Sequence, residues 1–430
     1  MTSIDVKTVP ADPTSRDSLA RRGLDYRVVS GDDIPDFVRA VHRGFLGPEP
    51  EQKVVDADAS LYAENRLIGV YDPEAAQPYP VSTEMSWITS LSVPGGAAPM
   101  WAISEVTVAA THRRRGIARA MLEGELRAAA GAGLPFAGLT VSETTIYGRY
   151  GFAPAVPTST MTIDTRRAGW SAARPEARLL FVEREQLAED LGVLHERVHG
   201  VRAGNISGWE HRWRQQAGLT ADAEKPRDIR GVRALDADGE LVGAMAFVVK
   251  EGDEFAVNSL SVDLLIAATP DALAALWRFA LTYDLVTTVT ASRRPVDDPL
   301  PWLVADSRAI RQRVIDHGWL RILDVPAALR ARSLNGALGL RLRVTDPLGI
   351  ADGSWTVAKL GGAGLEIAEL DEDARADVTL DVGALAAAYL GGATLETLAD
   401  AGRVSGDPAK IAELSSALRT ARAPHLPIWY

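Results

Sequence analysis

Hydrophobic and polar positions alternate or recur at helical spacing throughout the first 150 residues. The alternating or apolar stretches that predict strands are DYRVVS from Asp25, RLIGVYD, VSTEMSWITSLSV, MWAISEVTVAA and FAGLTVS. Helical spacing follows Asp32 and occurs again in RGIARAMLEGELRAAAGAG, while TTIYGRYGF predicts a turn or a short helix. This order predicts an α/β (α+β) layer domain over residues 25–170. Residues 1–24 are polar and contain two prolines, which predicts a flexible N-terminal tail.

The pattern begins again after an Ala- and Arg-rich stretch at 166–177, which we interpret as a linker. The strands, the helix DALAALWRFALTY and the strand LVTTVTA that follow repeat the order of the first domain in outline. We therefore predict a second, degenerate copy over residues 171–305. Its helix is preceded by Ala267, Ala268, Thr269 and Pro270, with no arginine–glycine turn.

Short strands and small helices, clearest from Val325 onwards, predict a compact α+β domain over residues 306–430. The chain ends on an apolar and aromatic segment, PHLPIWY, instead of a polar tail. Burying a large apolar side chain contributes about 1.5–3 kcal/mol. We therefore expect the terminus, ending at Tyr430, to dock on the protein.

Composition excludes several classes of function. The 430 residues are 47% hydrophobic and 24% charged, as in ordinary globular proteins of about three domains. The net charge of -11 disfavours nucleic-acid binding and favours cationic ligands. Cysteine is absent, which excludes disulfides, thiolate metal ligands and a cysteine nucleophile. No long apolar run and no leader sequence are visible, so we predict a cytoplasmic protein without a membrane partner.

The strongest chemical signal is a strand that runs through a tight turn into a helix, from Glu105 to Ala118. Arg113-x-x-Gly116-x-Ala118 lies at the predicted helix N-terminus, where free N–H groups and the helix dipole favour an anion. Arginines at that end of a helix each cost about 0.3–1 kcal/mol. Three of them are easier to understand if a polyphosphate binds there. The alternative is a solvated basic turn.

A second signal is the stretch from Ser142 to Phe152, in which a strand ends and a turn presents Tyr147. Taken alone, this tyrosine could equally be a packing residue. Together with the arginine turn, it resembles the GCN5-related N-acetyltransferase fold. Further stretches are similar to the enhanced intracellular survival (Eis) family of bacterial acetyltransferases, which modify aminoglycoside amines: THRRRG, IYGRYGF, RWRQQ, DPLP and DVPAAL.

This resemblance spans about residues 25–430. It implies two acetyltransferase-type domains, the second degenerate, and a C-terminal domain of sterol-carrier-protein type. It also implies acetyl-CoA as co-substrate, no metal, and a homohexamer of two stacked trimers. The reaction that it implies is direct attack of an amine on the thioester.

The resemblance also implies a role for each matching residue. The arginine turn would hold the pyrophosphate and the strand before it the pantetheine arm. The implied coenzyme contacts are Val106, Val108, Arg113, Arg114, Gly116, Ile117, Ala118 and Ser142. Backbone N–H groups near Val106 would polarise the thioester carbonyl. Tyr147 would protonate the departing thiolate, whose thiol has a pKa of ~8.5, and the terminal carboxylate of Tyr430 would act as base or orient the amine.

The acidic lining of the acceptor pocket differs from that of aminoglycoside-modifying members. No acid stands among residues 42–45, and the penultimate residue is Trp429. Glu105, Asp297 and Asp298 are candidate replacements, and the predicted acceptor contacts are Glu105, Asp298 and Trp429. The expected acceptor is therefore an aminoglycoside or a similar polyamine. A peptide lysine or a small polyamine remains an alternative.

Two other functions compete with this interpretation. The segment from His195 to His199 matches the H-E-x-x-H zinc signature, which would make the protein a metalloprotease with Glu196 as base. The longer form of that signature fails because Arg202 and Asn205 stand where glycine and histidine are needed, although Glu210 or Glu224 could be a third ligand. The other alternative is a lipid-binding or partner-binding module built on the C-terminal domain.

Overall fold

The computed structural model describes residues 4–223, 225–252, 256–360, 364–371 and 374–430. The chain divides into two compact units. The first unit comprises residues 1–155, 318–420 and 430, and the second comprises residues 156–317 and 421–429.

The described residues form strands and helices in the following chain order. The strands are β1 (Asp25–Val29), β2 (Arg66–Tyr71), β3 (Ser82–Val93), β4 (Gly96–Val108), β5 (Phe136–Thr140), β6 (Ala153–Asp164), β7 (Arg178–Val182), β8 (Ile229–Leu235), β9 (Leu241–Lys250), β10 (Asn258–Ala267), β11 (Val286–Arg294), β12 (Ile310–Ile322), β13 (Leu338–Thr345), β14 (Gly353–Lys359), β15 (Glu366–Glu369), β16 (Val378–Asp381) and β17 (Val404–Gly406). The α-helices are α1 (Pro13–Ala20), α2 (Ile34–Gly44), α3 (Gln52–Tyr62), α4 (Ile117–Gly131), α5 (Thr144–Tyr147), α6 (Thr165–Ala168), α7 (Arg184–Val198), α8 (Glu210–Gln216), α9 (Pro270–Leu281), α10 (Val325–Ala331), α11 (Val382–Tyr389), α12 (Leu395–Asp400) and α13 (Pro408–Leu418).

The main sheet of the first unit has the strand order β1-β2-β3-β4-β5-β12. β4 and β5 are parallel, as expected for strands joined through the crossover helix α4, and the other neighbours are antiparallel. Helix α4 buries Leu122 and Leu126 in the same cluster as Trp101 of β4 and Leu139 of β5. The predicted strands and the long helix of this domain are therefore confirmed.

The N-terminal residues differ from the predicted flexible tail. Asp12 accepts a hydrogen bond from the Ser15 amide (2.7 Å) and thereby caps α1, whose first residue is Pro13. The Ser15 hydroxyl donates to the Ala120 carbonyl of α4 (2.6 Å), and Leu19 is completely buried. The prediction failed because α1 presents little apolar surface, and what it has is covered by residues about 100 positions later in the chain.

The C-terminal domain belongs to the first unit and has a sheet of its own with the order β15-β14-β13-β16-β17. Residues 306–322, which we assigned to this domain from the sequence, differ from expectation. Gly318–Ile322 of β12 pair with β5, so this strand is part of the acetyltransferase-type sheet. Arg321 of β12 donates to Asp346 after β13 (2.5 Å), and both side chains are fully buried. The C-terminal domain itself therefore begins with α10.

The second unit repeats the strand arrangement of the first. Its order is β6-β11-β10-β9-β8-β7, with β10 and β11 parallel and the remaining neighbours antiparallel. Helix α9 connects the parallel pair and buries Leu276 and Trp277 in the core of this unit. The predicted strand-strand-strand-helix-strand order is confirmed. Within the described ranges, no helix is both long and apolar enough to cross a membrane.

The packing of α1 yields a stability prediction. Leu19 lies in a buried cluster with Tyr26, Ile117 and Met121, so Leu19→Ala should lower the free energy of unfolding by about 2–5 kcal/mol. The exposed Arg16 on the same helix provides the control, because Arg16→Ala should change it by less than about 0.5 kcal/mol. Urea unfolding of the two variants measures both values. Equal stabilities would show that α1 is not part of the folded core.

Candidate functional site

The ladder between β3 and β4 is interrupted opposite Glu84. Thr83 pairs with Thr107 and Met85 with Ser104, so one residue of β3 faces two residues of β4, Glu105 and Val106. This is a β-bulge, and Glu105 has a φ of 53°, a left-handed conformation that is unusual outside glycine. The Thr83 hydroxyl stabilises the bulge by donating to the Glu105 carbonyl (2.8 Å). Such strain is typical of functional sites.

β4 and β5 separate just before this bulge. They pair from Met100 with Phe136 to Ala102 with Gly138, and no pairs follow. Two parallel strands that diverge leave backbone groups without sheet partners, so the opening between them can accept another chain or a ligand. The predicted contact residues Val106 and Val108 lie on β4 beyond this point and are half-buried.

The last residue of the chain lies at this opening. Thr140, the end of β5, donates its hydroxyl to a carboxylate oxygen of Tyr430 and accepts from the Tyr430 amide (3.3 Å). The Tyr430 ring packs edge-on against Trp87 of β3, with 5.8 Å between ring centroids. Gly138 makes room for it, because a Cβ there would lie 2.9 Å from the Tyr430 hydroxyl. The expected docking of the terminus is thus observed, and it brings a carboxylate to the opening.

The arginine turn stands where β4 leads into α4. Gly116 caps the helix with a φ of 72° and provides no side-chain hydrogen bond, so the N-terminal amides of α4 have no side-chain cap. Arg113 and Arg114 are exposed, and in the part of the chain that the structure describes they form no ion pair. Ile117 is buried and Ala118 half-buried at the base of the helix. The turn therefore combines exposed guanidinium groups with an open helix N-terminus, an arrangement that suits a phosphorylated ligand.

Arg22 supports this turn, and sequence reasoning missed it. It follows α1 and donates to the Arg115 carbonyl (2.5 Å). A Cβ on Gly116 would lie 2.6 Å from the Arg22 guanidinium, which would have to shift, and the positive φ independently favours glycine at this position. No feature of the neighbouring sequence distinguishes Arg22, since its partner, Arg115, lies far along the chain.

Tyr147 ends the short helix α5, and its side chain is almost completely buried. Burial raises the pKa of its hydroxyl to about 12, with a further contribution from Glu84 and Glu143. The group therefore keeps its proton at neutral pH and is available as a hydrogen-bond donor or a general acid. Ser142 is exposed in the turn between β5 and α5.

Glu84 is a second group that the sequence analysis missed. It is completely buried, and neither of its carboxylate oxygens has a hydrogen-bond partner among the described residues. Burial raises its pKa well above the ordinary value, and Glu125 acts in the same direction, although Arg66 opposes them. Burial therefore shifts Glu84, beneath the bulge, towards its protonated, neutral form. An acidic residue within an otherwise uncharged strand was the only sequence signal.

The end of α2 lies directly on β4. A Cβ on Gly44 would fall within 2.3 Å of the Thr107 side chain, so only glycine permits this approach. The next two residues, Phe45 and Leu46, are 52% and 86% exposed, and Leu46 has a φ of 63°. They form an apolar rim beside the strand that carries the bulge.

Two of the predicted acceptor contacts belong to the second unit. Asp298 is buried and accepts from Arg294 (2.8 Å) and from the Leu300 amide (3.0 Å), so its carboxylate is already engaged. Trp429 is 41% exposed, and its ring lies edge-on to His317. Glu105 stays with the first unit, half-buried at the bulge. The structure therefore brings together Glu105, Val106 and Val108 on β4 and the arginine turn that follows, with Tyr147 and Tyr430 in the same unit.

The histidine cluster on α7 is also in the second unit. His195, Glu196 and His199 offer ligand atoms within 4.8 Å of one another, and no other such group of three occurs within the described residues. Glu210 is therefore outside it, and Glu224 lies outside the described residues. The His195 ring is buried against Trp213, and its Nε2 donates to the Ile206 carbonyl (2.8 Å). This burial and hydrogen bond are typical of a packed core histidine and leave little room for a catalytic metal open to substrate.

Comparison with family models assigns all three regions. Residues 25–155 match an acetyltransferase (GNAT) domain, residues 204–322 match a second acetyltransferase (GNAT) domain, and residues 325–427 match a sterol carrier protein domain. The predicted fold class is thereby confirmed. The third match begins at residue 325, in agreement with the placement of β12 in the acetyltransferase-type sheet.

Relatives of similar length match almost the whole chain. An "Uncharacterized N-acetyltransferase" of Streptomyces avermitilis is 36% identical over 416 residues, covering 94% of this chain and 98% of that protein. The "N-acetyltransferase Eis" of Mycobacterium tuberculosis is 30% identical over 393 residues, covering 89% and 92%. The crystal structure of Eis1 from Mycobacterium abscessus superposes with a TM-score of 0.81 at 28% identity, covering 94% of this chain and all of that one (100%).

The contact between Thr140 and the terminus can be tested without any assay of activity. Thr140→Val keeps the shape of the side chain and removes the hydroxyl that binds both backbone groups of Tyr430. We expect carboxypeptidase to release Tyr430 faster from this variant, as followed by intact mass. Thr145→Val, at an exposed threonine of α5, is the matched control and should behave like the unaltered protein. Equal release from all three proteins would contradict the docking of the terminus.

Proposed function

Because the chain belongs to the enhanced intracellular survival (Eis) family of GCN5-related N-acetyltransferases, we propose that it transfers acetyl groups to an amine of an aminoglycoside or a similar polyamine. Membership makes the protein an N-acetyltransferase, and a GNAT domain implies acetyl-CoA as the acetyl donor. The acceptor and the role of each residue are our proposal. The observation that carries it is the Tyr430 carboxylate held by Thr140 where β4 and β5 diverge.

The residues of the arginine turn fit the phosphate groups of the coenzyme. Arg113 and Arg114 would pair with the pyrophosphate, and the amides after Gly116 would donate to it. Val106 and Val108 would border the pantetheine arm, with Ser142 nearby. Bound acetyl-CoA supplies an activated thioester. An excess of acidic residues, with net charge -11, attracts a cationic acceptor, although the local arginines favour the coenzyme.

Direct transfer requires an amine that has lost its proton and a leaving group that gains one. The Tyr430 carboxylate would receive the ammonium proton through water or hold the amine by a charge-assisted hydrogen bond, since a carboxylate is a weak base. Backbone amides of the bulge near Val106 would stabilise charge on the thioester oxygen. Tyr147, which keeps its proton to a pH of about 12, would protonate the departing sulfur. No metal takes part in this scheme.

The residues that contact the acceptor amine are the part of the proposed site for which the structure gives the fewest contacts. Glu105 at the bulge would contact the acceptor, with Phe45 and Leu46 as an apolar rim. The acceptor contact of Trp429 stays a prediction from the sequence. Asp298 fits this role less well because Arg294 already binds its carboxylate. A lysine side chain of a peptide is the alternative acceptor. The implied homohexamer and the cytoplasmic location stay predictions for this chain.

The role of Tyr147 yields a kinetic prediction. Tyr147→Phe should lower kcat by about 10²–10⁴ because it removes a general acid. Thiol release from acetyl-CoA measures this on untagged protein with aminoglycosides, simple polyamines and a lysine peptide as acceptors. Tyr150, which is buried in the same cluster as Tyr147, is the matched control, and Tyr150→Phe should keep kcat within about threefold. Equal rates for both variants would remove Tyr147 from the reaction, and turnover confined to the peptide would overturn the proposed acceptor class.

A further inference from the structure

The second unit keeps the diverging strand pair of the first. β10 and β11 pair in parallel from Asn258 with Val286 to Val262 with Ala291, and the ladder then stops. Beyond the last pair, Leu265 and Ile266 of β10 and Arg294 of β11 line an opening.

This opening has no phosphate-binding turn. Thr269 caps α9 by accepting a hydrogen bond from the Ala272 amide (3.1 Å), and Pro270 occupies the first helical position. When the side chain of the N-cap residue already binds a free amide of the helix and no arginine lies beside it, few groups are left to bind a pyrophosphate. The opening is therefore unsuited to a coenzyme and can hold a ligand of another kind.

The C-terminal segment of the chain, residues 422–429, lies in this opening. Arg293, near the end of β11, donates to the Asp263 carbonyl of β10 (2.8 Å) and to the Pro427 carbonyl (3.1 Å). Its guanidinium thus connects β10 with the segment, while its backbone adopts a φ of 50°. The strained conformation and the two hydrogen bonds of the half-buried guanidinium both indicate that the surroundings hold Arg293 in this position.

Further hydrogen bonds hold the segment along its length. The His425 ring donates to the Arg293 carbonyl (2.8 Å), and the His317 ring donates to the Ile428 carbonyl (2.9 Å). At the other end, the Ala423 amide donates to Asp297 (3.1 Å), and Arg202 donates to the Ala423 carbonyl (3.1 Å). Backbone groups of the segment are thus bound as the backbone of a peptide ligand would be.

Two side chains anchor the segment by burial. Leu426 and Ile428 each have only 1% of their surface exposed. Pro424 and Pro427 restrict the unbound segment to fewer conformations and so reduce the entropy that binding must overcome. A cavity of about 140 Å³ lies beside the segment, lined by His425 and Pro427 of the segment and by Leu265 and Ile266 of β10, among other residues.

We propose that the degenerate domain is a peptide-binding module whose ligand is the chain's own C-terminal segment, residues 422–429, with Arg293 as the principal positioning residue. The opening holds these residues so that the next one, Tyr430, presents its carboxylate. The consequence for turnover rests on the proposed function, whereas the binding of the segment does not.

The test begins with the full-length protein. A specific protease site inserted between the exposed residues Ala421 and Arg422 is cut after folding, so that the segment Arg422–Tyr430 stays bound only by its contacts. Intact mass after repeated ultrafiltration measures how much of the segment remains. Fluorescence anisotropy of a labelled synthetic peptide, RAPHLPIWY, measures its return to the washed protein.

We expect saturable binding of this peptide, and a Kd raised about tenfold or more by Arg293→Met, which loses two hydrogen bonds from a charged group. Arg293→Lys should restore part of the affinity. Arg230→Met is the matched control, because the exposed Arg230 donates only to Tyr283 among the described residues and its replacement should leave the Kd unchanged. Loss of the segment at the same rate from the unaltered protein and from Arg293→Met would overturn the proposal, as would binding that does not saturate.

The same peptide separates this inference from the proposed function. The peptide with a free carboxylate should restore acetyl transfer to the washed protein, while the C-terminally amidated peptide should bind with equal Kd and restore none. Equal rescue by both peptides would contradict the role of the carboxylate in acetyl transfer. It would not contradict the proposed binding of the segment by the second domain. In the uncut protein, hydrogen exchange at the Ile428 amide should be faster in Arg293→Met than in Arg230→Met, and equal exchange would overturn the positioning role of Arg293.

Discussion

The pair of hydrogen bonds between Thr140 and the backbone of Tyr430 is the interaction on which the site depends. A chain terminus ordinarily frays, because ordering each residue costs about 1–2 kcal/mol of backbone entropy. Burial of Leu426 and Ile428 offsets this cost before the last residue is reached. The terminal carboxylate, here that of Tyr430, is thereby held in one position where β4 and β5 diverge.

The two acetyltransferase-type domains show how one arrangement of strands supports two uses. Helix α4 begins at a left-handed Gly116 with no side-chain cap, and its N-terminus stays open to an anion. Helix α9 begins with Thr269 as a cap and Pro270 after it, and its N-terminus is closed. Both strand pairs still diverge, so an opening also remains between β10 and β11. It holds the C-terminal segment in place of a coenzyme.

This contrast also explains why the diverging strands could persist without the phosphate-binding turn. An opening in a sheet exposes backbone groups that need partners. In the second unit, Arg293 donates to the Asp263 carbonyl of β10 and to the segment, and His425 donates to the Arg293 carbonyl of β11. The Arg293 side chain and His425 of the C-terminal segment therefore satisfy carbonyl groups of β10 and β11 that would otherwise be left to water.

Local sequence signals predicted the strands, helix α4, the arginine turn and Tyr147, because each depends on residues close together in the chain. Helix α1 was missed because its few apolar residues pack on several other elements, among them β1, β2 and α4. The predicted start of the C-terminal domain was wrong because β12 pairs with a strand formed by residues 136–140. Arg22 and Thr140 carried no signal, since their partners are Arg115 and Tyr430. Glu84 was visible only as an acid in an uncharged strand, and its lack of partners is a property of the folded core.

The most direct measurement of the central claim replaces the Tyr430 carboxylate by a carboxamide through semisynthesis of the full chain. This change removes one negative charge. It keeps the size of the terminal group, the tyrosine ring and the hydrogen bond that the Tyr430 amide donates to the Thr140 hydroxyl. If the carboxylate takes part in acetyl transfer, kcat should fall by about 10²-fold or more, with unchanged urea unfolding. An unchanged kcat with an amine acceptor would contradict the account and leave the terminus as a purely structural feature.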